Sequence, residues 1–281
     1  MSAARVSPEP AAIGSPTLHV GVFDSGVGGL SVLRALRRHL PGARLSYLAD
    51  SAHAPYGERD AAFVAERSRA MTSVLVERGA QLVVVACNTA TALAIDGLRE
   101  AHPSLPFVGV EPGIKPALAA TRVGRVGVMA TSATLSSERF RRLLQAQAAL
   151  HPSVDVALQP CPGLARALEQ GPAGMAQVAE LAQRYARPLR EARVDVVVLG
   201  CTHYPFAAAE IAAALGPDVT LLDTAVAVAQ QAARLAANLE PLAITDASTT
   251  LGTTGDPQAL ADIARAWLDF PFDVPPLRID T

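Results

Sequence analysis

Two short stretches constrain this chain more than any other feature. Residues 82–91 read LVVVACNTAT, and residues 196–205 read VVVLGCTHYP. Each is an apolar, largely β-branched run that stops at a cysteine. Small hydroxyl or amide residues follow, then a helical pattern. Apolar runs without alternation mark strands buried on both faces, as in a parallel sheet, and parallel strands need long, usually helical crossovers. The expected fold is therefore α/β. Ligands of open α/β sheets collect at the carboxyl ends of the strands, where Cys87 and Cys201 fall. A helix N-terminus lowers a thiol's pKa from about 8.5 toward about 3.5–7.5. Two such thiols facing one substrate would form an acid/base pair. Free cysteine is equally at home in a core as a small, inert hydrophobe. Either residue alone reads that way; the repeated strand end followed by polar residues argues against it.

A second repetition accompanies the first. VGVF runs into DSG at residues 20–26, and VGVM runs into ATS at residues 126–132. Each half thus begins with a strand and polar loop and later contains a strand ending in cysteine. The economical reading is a duplicated architecture: two pseudo-symmetric domains with mainly parallel sheets flanked by helices, facing each other across a cleft.

Further strands are predicted at residues 18–23, 45–48, 106–110, 219–222 and 249–251. Helices are predicted at 30–40, 60–78, 90–101, 135–149, 173–191, 225–239 and 257–268, with another starting near Pro205. The loop DSGVGG, residues 24–29, has the glycines of an anion cradle at a helix start. Asp24 does not suit one, because its carboxylate would repel a phosphate. The polar loop ADSAHAPYGER, residues 49–59, reads as a lid, a substrate rim or an ordinary turn.

Composition removes other classes. In 281 residues the net charge is −2, without the basic excess of a nucleic-acid binder. No stretch is long and apolar enough to span a bilayer. Lys115 is the only lysine and lies in PGIKP without a partner motif, which disfavours a pyridoxal phosphate Schiff base; no Gly-Lys-Ser/Thr P-loop is present. Cys87, Cys161 and Cys201 are too sparse for a disulfide scaffold and lack the close pairs of a zinc site, which fits a reducing, cytoplasmic setting. Cys161 precedes Pro162 without an apolar run before it and reads as non-catalytic. Residues 1–17, rich in Pro, Ala and Ser, lack the apolar core of a signal peptide and read as a disordered tail.

DSGVGGL, ADSAHAPYG, VVVACNTAT, VGVEPGIKPA and VVLGCTHYP, in this order, resemble the glutamate racemases of the aspartate/glutamate racemase superfamily. The likeness runs from about residue 18 to TTGDP near residue 257. It implies a discontinuous first domain of residues 18–108 and 220–281, a second domain of residues 109–219, and an active site between them. It also implies cofactor-free inversion of glutamate, with no pyridoxal phosphate and no metal, as a cytoplasmic supply of D-glutamate for peptidoglycan. The small-molecule substrate would be the only ligand, without nucleic acid or membrane, and the resemblance allows a homodimer. Cys87 and Cys201 would be the two bases, Cys87 acting on D-glutamate and Cys201 on L-glutamate. Asp24 would serve the first cysteine and His203 the second, with Glu169 as an auxiliary near the histidine. Asp24, Ser25, Tyr56, Gly57, Asn88, Thr89, Thr202 and His203 match substrate-binding positions, with Thr131 and Thr134 toward the distal carboxylate. Glu111 and the Ala52–His53–Ala54 run depart from the pattern. A racemase of aspartate or another small acid, or a non-catalytic amino-acid binder, remain the alternatives.

Overall fold

Apolar strands buried on both faces require helices on both sides, and the computed structural model of the chain, which describes residues 17–240 and 247–274, has that arrangement. The expected N-terminal tail lies outside the described residues apart from Thr17, as does the Pro-rich segment 275–281.

The chain begins with β1 (His19–Asp24), α1 (Leu30–His39), β2 (Arg44–Ala49), α2 (Ala61–Glu77), β3 (Leu82–Val85), α3 (Asn88–Ala101) and β4 (Phe107–Gly109). It continues through α4 (Ile114–Ala120), β5 (Arg125–Ala130), α5 (Ser132–Ser136), α6 (Glu138–Leu150), β6 (Asp155–Pro160), α7 (Leu164–Glu169), α8 (Met175–Glu191) and β7 (Val196–Gly200). It ends with α9 (Ala208–Leu215), β8 (Thr220–Leu222), α10 (Ala225–Ala236), β9 (Thr249–Thr253) and α11 (Pro257–Trp267).

Two sheets result, in the orders β4-β3-β1-β2-β9 and β6-β5-β7-β8, with every strand pair parallel. The duplication read in the sequence appears as strand order. β1 lies between β2 and β3 as β5 lies between β6 and β7, and β3–β4 corresponds to β7–β8. β9 is an addition to the first sheet. The residues of β1 and β3 are all buried, as are those of β7 and all but the first residue of β5. These four are interior strands, as is β2, and a position between neighbouring strands explains their apolar runs.

Three differences from the sequence reading have physical causes. β6 went unread because it is an edge strand, DVALQP, with exposed or half-buried residues and no continuous apolar run. The helix expected over 135–149 is two helices. Ser137 ends α5 in extended backbone and caps α6, its hydroxyl accepting the Phe140 N–H at 3.1 Å. The return to the first domain, drawn at residue 220, falls too early, because Thr220–Leu222 pairs with β7 in the second sheet. This short, partly exposed strand carries little apolar signal.

Candidate active site

Strand order locates the site. In the first sheet the chain passes from β1 to β2 on one side, then to β3 on the other, so the order reverses between β1 and β3. In the second it reverses between β5 and β7. Crevices form at such reversals, beyond the carboxyl ends of the strands. The residues there are Asp24 and Ser25 with Cys87 and Asn88 in one half, and Thr131 with Cys201 and Thr202 in the other. The expected residues therefore sit at two equivalent positions of a duplicated fold. Hydrogen bonds join the two positions: Thr202 Oγ1 donates to Asp24 Oδ2 at 3.3 Å, and Ser31 Oγ donates to the Thr202 carbonyl at 3.1 Å.

The glycine loop after β1 does cradle an anion, and the anion is Asp24. Its Oδ1 accepts the Ser25 N–H at 2.7 Å and its Oδ2 accepts the Gly29 N–H at 2.6 Å. A wholly buried carboxylate needs such donors, since an unpaired one is far too costly to bury. The glycines have a second use. A Cβ on Gly26 would overlap the Glu169 carboxylate, and one on Gly28 would overlap the His203 ring. The loop is bare so that two side chains of the other half can lie on it.

Those side chains form a relay. His203 Nδ1 is 3.7 Å from Cys201 Sγ, and His203 Nε2 is 2.5 Å from Glu169 Oε1, which also accepts the Val27 N–H at 2.8 Å. Glu169, an auxiliary in the sequence reading, thus orients the imidazole from α7. Burial pulls the imidazole pKa down, but the hydrogen bonds and charges of Cys201 and Glu169 outweigh it, and the result lies well above the usual histidine value. His203 thus stands beside Cys201 within reach of its sulfur, as a proton partner.

Cys87 has the opposite environment. Its sulfur caps α3, accepting the Ala90 N–H at 3.4 Å, and lies 3.7 Å from Ser25 Oγ. A helix N-terminus was expected to lower its pKa. Instead burial and the neighbouring Asp24 charge push the thiol well above its usual value, and a charge on Cys201 adds to the effect. The expectation fails here because one amide does not offset full burial next to a carboxylate. Burial raises Asp24 too, although His203 opposes this.

Three hydroxyls cluster between the two halves. Thr89 Oγ1 lies 3.0 Å from Thr131 Oγ1 and 3.4 Å from Thr134 Oγ1, and Thr131 donates to Thr134 at 3.0 Å. The cluster joins α3 to α5 and thereby the two halves. Asn88 Nδ2 donates to the Val110 carbonyl at 3.3 Å, while its buried Oδ1 makes no hydrogen bond among the described residues. Gly57 packs so closely on Thr131 that a Cβ there would overlap it. The Tyr56 ring is buried and its hydroxyl donates to Asp50 Oδ2 at 2.5 Å.

Asp50 was missed in the sequence. Wholly buried, it also accepts from Arg67 Nε and Nη2 and from Thr254 Oγ1, each at 2.9 Å, and meets His53 Nδ1 at 2.9 Å. These donors hold its carboxyl below the usual range against the cost of burial. The segment read as a lid or rim is therefore fastened to α2 and to the residue after β9. The available signal was the Asp–Ser pair after β2, which repeats Asp24–Ser25 after β1. Glu111 also finds a partner: with Asp96 it binds Arg139, at 2.5 Å and 3.0 Å, tying α6 to α3 and the connector. Cys161 is buried in the core of the second sheet, where it donates to the Gln159 carbonyl at 3.3 Å. Lys115 lies exposed on α4. Among the described residues, no group of three His, Cys, Asp or Glu is placed to hold a metal ion, and no helix is long and apolar enough to cross a membrane.

Fold and site define a duplicated α/β protein with titratable groups gathered between its halves. The family model for Asp/Glu/Hydantoin racemases matches residues 29–232, and the chain belongs to that family. It is 49% identical over 246 residues to a glutamate racemase of Herpetosiphon aurantiacus, covering 87% of this chain and 95% of that one. A glutamate racemase of Stutzerimonas stutzeri is 46% identical over 244 residues, covering 87% and 91%. The crystal structure of Escherichia coli glutamate racemase in complex with L-glutamate and the activator UDP-MurNAc-Ala superposes with a TM-score of 0.82 at 32% identity, covering 92% of this chain and 97% of that one.

Proposed function

We propose that this chain interconverts L- and D-glutamate without a cofactor, using Cys87 and Cys201 as acid and base on opposite faces of the α-carbon. The observation that carries the reading is the pairing of two strand-end thiols, at equivalent positions of a duplicated fold, with unlike proton partners. Inversion requires removal of a proton from one face and delivery to the other. A single base would have to carry it around the substrate; two bases need only one thiolate and one thiol. The unequal environments supply that state. His203 stands beside Cys201 as its proton partner, while burial and Asp24 favour the thiol at Cys87. With L-glutamate, Cys201 takes the α-proton and Cys87 returns one to the other face; with D-glutamate the order is reversed. After turnover the roles are exchanged, and His203 and Asp24 help reset them.

The α-hydrogen is far less acidic than a thiol, so the carbanion must be stabilised as it forms. Enclosure and hydrogen bonds that strengthen on an enediolate-like carboxylate provide this. Ser25, Thr202 and the Tyr56–Gly57 backbone are assigned to the α-carboxylate and ammonium, with Asn88 Oδ1 as an ammonium acceptor. Thr89, Thr131 and Thr134 are assigned to the distal carboxylate, exchanging their mutual hydrogen bonds for bonds to it. The two sheets are assigned as domains of residues 18–108 with the C-terminal segment, and of the chain between, ending after β8. The product would serve peptidoglycan synthesis in the cytoplasm, and a homodimer is part of the same reading.

The test is incubation with L-glutamate in deuterated water without added pyridoxal phosphate. Inversion with α-deuterium uptake is expected, and the absence of both would overturn the proposal. Competition with aspartate separates the related reading, because a site shaped for the longer acid turns aspartate over poorly.

A further inference from the structure

The candidate groups are enclosed. Cys87 and Cys201 are 5% and 7% exposed, and Asp24 is fully buried. An amino acid reaches them only when some contact yields. One cavity, of about 210 Å³, reaches the relay at Glu169 and is walled also by Val27, Ser51, Pro55, Arg166 and Leu260. Its inner wall is part of the relay: Glu169 holds His203, and the Val27 amide holds Glu169. At its rim Arg166, one turn before Glu169 on α7, is ion-paired with Glu58 from the loop after β2.

This pair spans the two halves. Its side chains are 61% and 36% exposed, so it is a weakly held, solvent-screened contact that side-chain rotation can break. α7 itself stays seated through buried Leu164 and Leu168. The remaining charges on the wall, Glu169 and Asp256, are acidic. Such a passage would repel an anionic amino acid unless a cation stood in it, and Arg166 is that cation.

We propose that the Glu58–Arg166 pair is a latch over this cavity, and that the cavity is the passage by which a dicarboxylate amino acid moves to and from the crevice. The freed Arg166 guanidinium takes a substrate carboxylate in transit. The proposal rests on glutamate being the substrate, but its test does not require turnover. The association rate of L-glutamate is read by stopped-flow fluorescence of Trp267, the chain's single tryptophan, from about 20 to about 500 mM salt, a range across which exposed charges pass from weakly to strongly screened. Arg166→Gln should slow association about tenfold and flatten its salt dependence, as steering of this kind predicts. Arg166→Lys should restore part of both. Glu58→Gln should speed association about threefold at low salt and lose the advantage at high salt.

Wild-type rates and salt dependence in both Arg166→Gln and Glu58→Gln would overturn the latch. So would unchanged association with reduced kcat in Arg166→Gln, which would make Arg166 a support for Glu169 instead. Failure of the racemase reading would appear separately, as glutamate that binds but gains no α-deuterium.

Discussion

Gly28 and His203 meet across the two halves: a Cβ on the glycine would lie only 2.3 Å from the imidazole Nδ1. The histidine that serves Cys201 is therefore seated on a loop of the opposite sheet. Gly28→Ala should displace the ring, costing about 1–3 kcal/mol of stability as an overpacked site. Racemisation should drop further than the stability loss accounts for. Denaturant midpoints and kcat measured on the same preparation separate the two effects. A fully active, fully stable variant would contradict the contact.

In the proposed two-base scheme, loss of either sulfur removes one face of the reaction. Cys87→Ser and Cys201→Ser should each reduce racemisation by about 10³-fold or more, at the upper end of what general acid–base groups contribute. Polarimetry on L- and D-glutamate checks this. Substantial inversion by either variant would rule out the two-base scheme.

Removing the charge at Asp24 should ease ionisation of Cys87. Burial and this carboxylate together hold the thiol up, so in Asp24→Asn the pH midpoint of Cys87 alkylation by iodoacetamide should move down. Peptide mapping distinguishes Cys87 from Cys161 and Cys201. A midpoint that stays or rises would show that the Asp24 charge does not govern the thiol.

The raised pKa of His203 has a signed consequence for stability. Its folded value lies well above the unfolded reference of 6.5. The contribution of the protonated pair with Glu169 is thus fully present below about pH 6.5 and lost as pH rises through the folded value. The stability difference between wild type and His203→Gln should shrink on the alkaline side. Denaturation curves at a series of pH values measure it, and a gap that widens with pH would reverse the assignment.

The hydroxyl cluster offers a test of substrate length. Thr131→Val removes a group that bonds Thr89 and Thr134 and is assigned to the distal carboxylate. KM for glutamate should rise about tenfold, corresponding to about 1.4 kcal/mol for one lost hydrogen bond to a charged group. Turnover of aspartate should change less. Equal effects on both acids would place the cluster elsewhere in the reaction.

Much of this arrangement was legible in the sequence, for a physical reason. Central parallel strands must be apolar on both faces, so β1, β3, β5 and β7 announce themselves, and polar residues at their ends stand out. Cys87 and Cys201 stood out in that way, whereas roles for Asp24 and Thr131 came from the family resemblance. β6 and β8 were missed or misassigned because edge strands need no such run. Asp50 was missed because its partners, Arg67 and Thr254, are distant in sequence, and the repeat of Asp–Ser at the end of β2 was the one local signal of it. The glycine loop was half understood. Its anion-holding geometry was visible, but not that Asp24 fills the cradle, nor that Gly26 and Gly28 are bare to receive Glu169 and His203.

The matching strand orders of the two sheets bear on ancestry. Two identical halves assembled as a symmetric pair would give both sulfurs the same proton partner, and neither direction of inversion could be tuned without altering the other. Joining the halves in one chain removes that constraint, so an aspartate can settle on one side and a histidine on the other. The cost is mutual dependence. With Glu169 anchored to Val27 and His203 resting on Gly28, each half now holds side chains of the other in place, and under the proposed scheme neither can be inherited alone as a working enzyme.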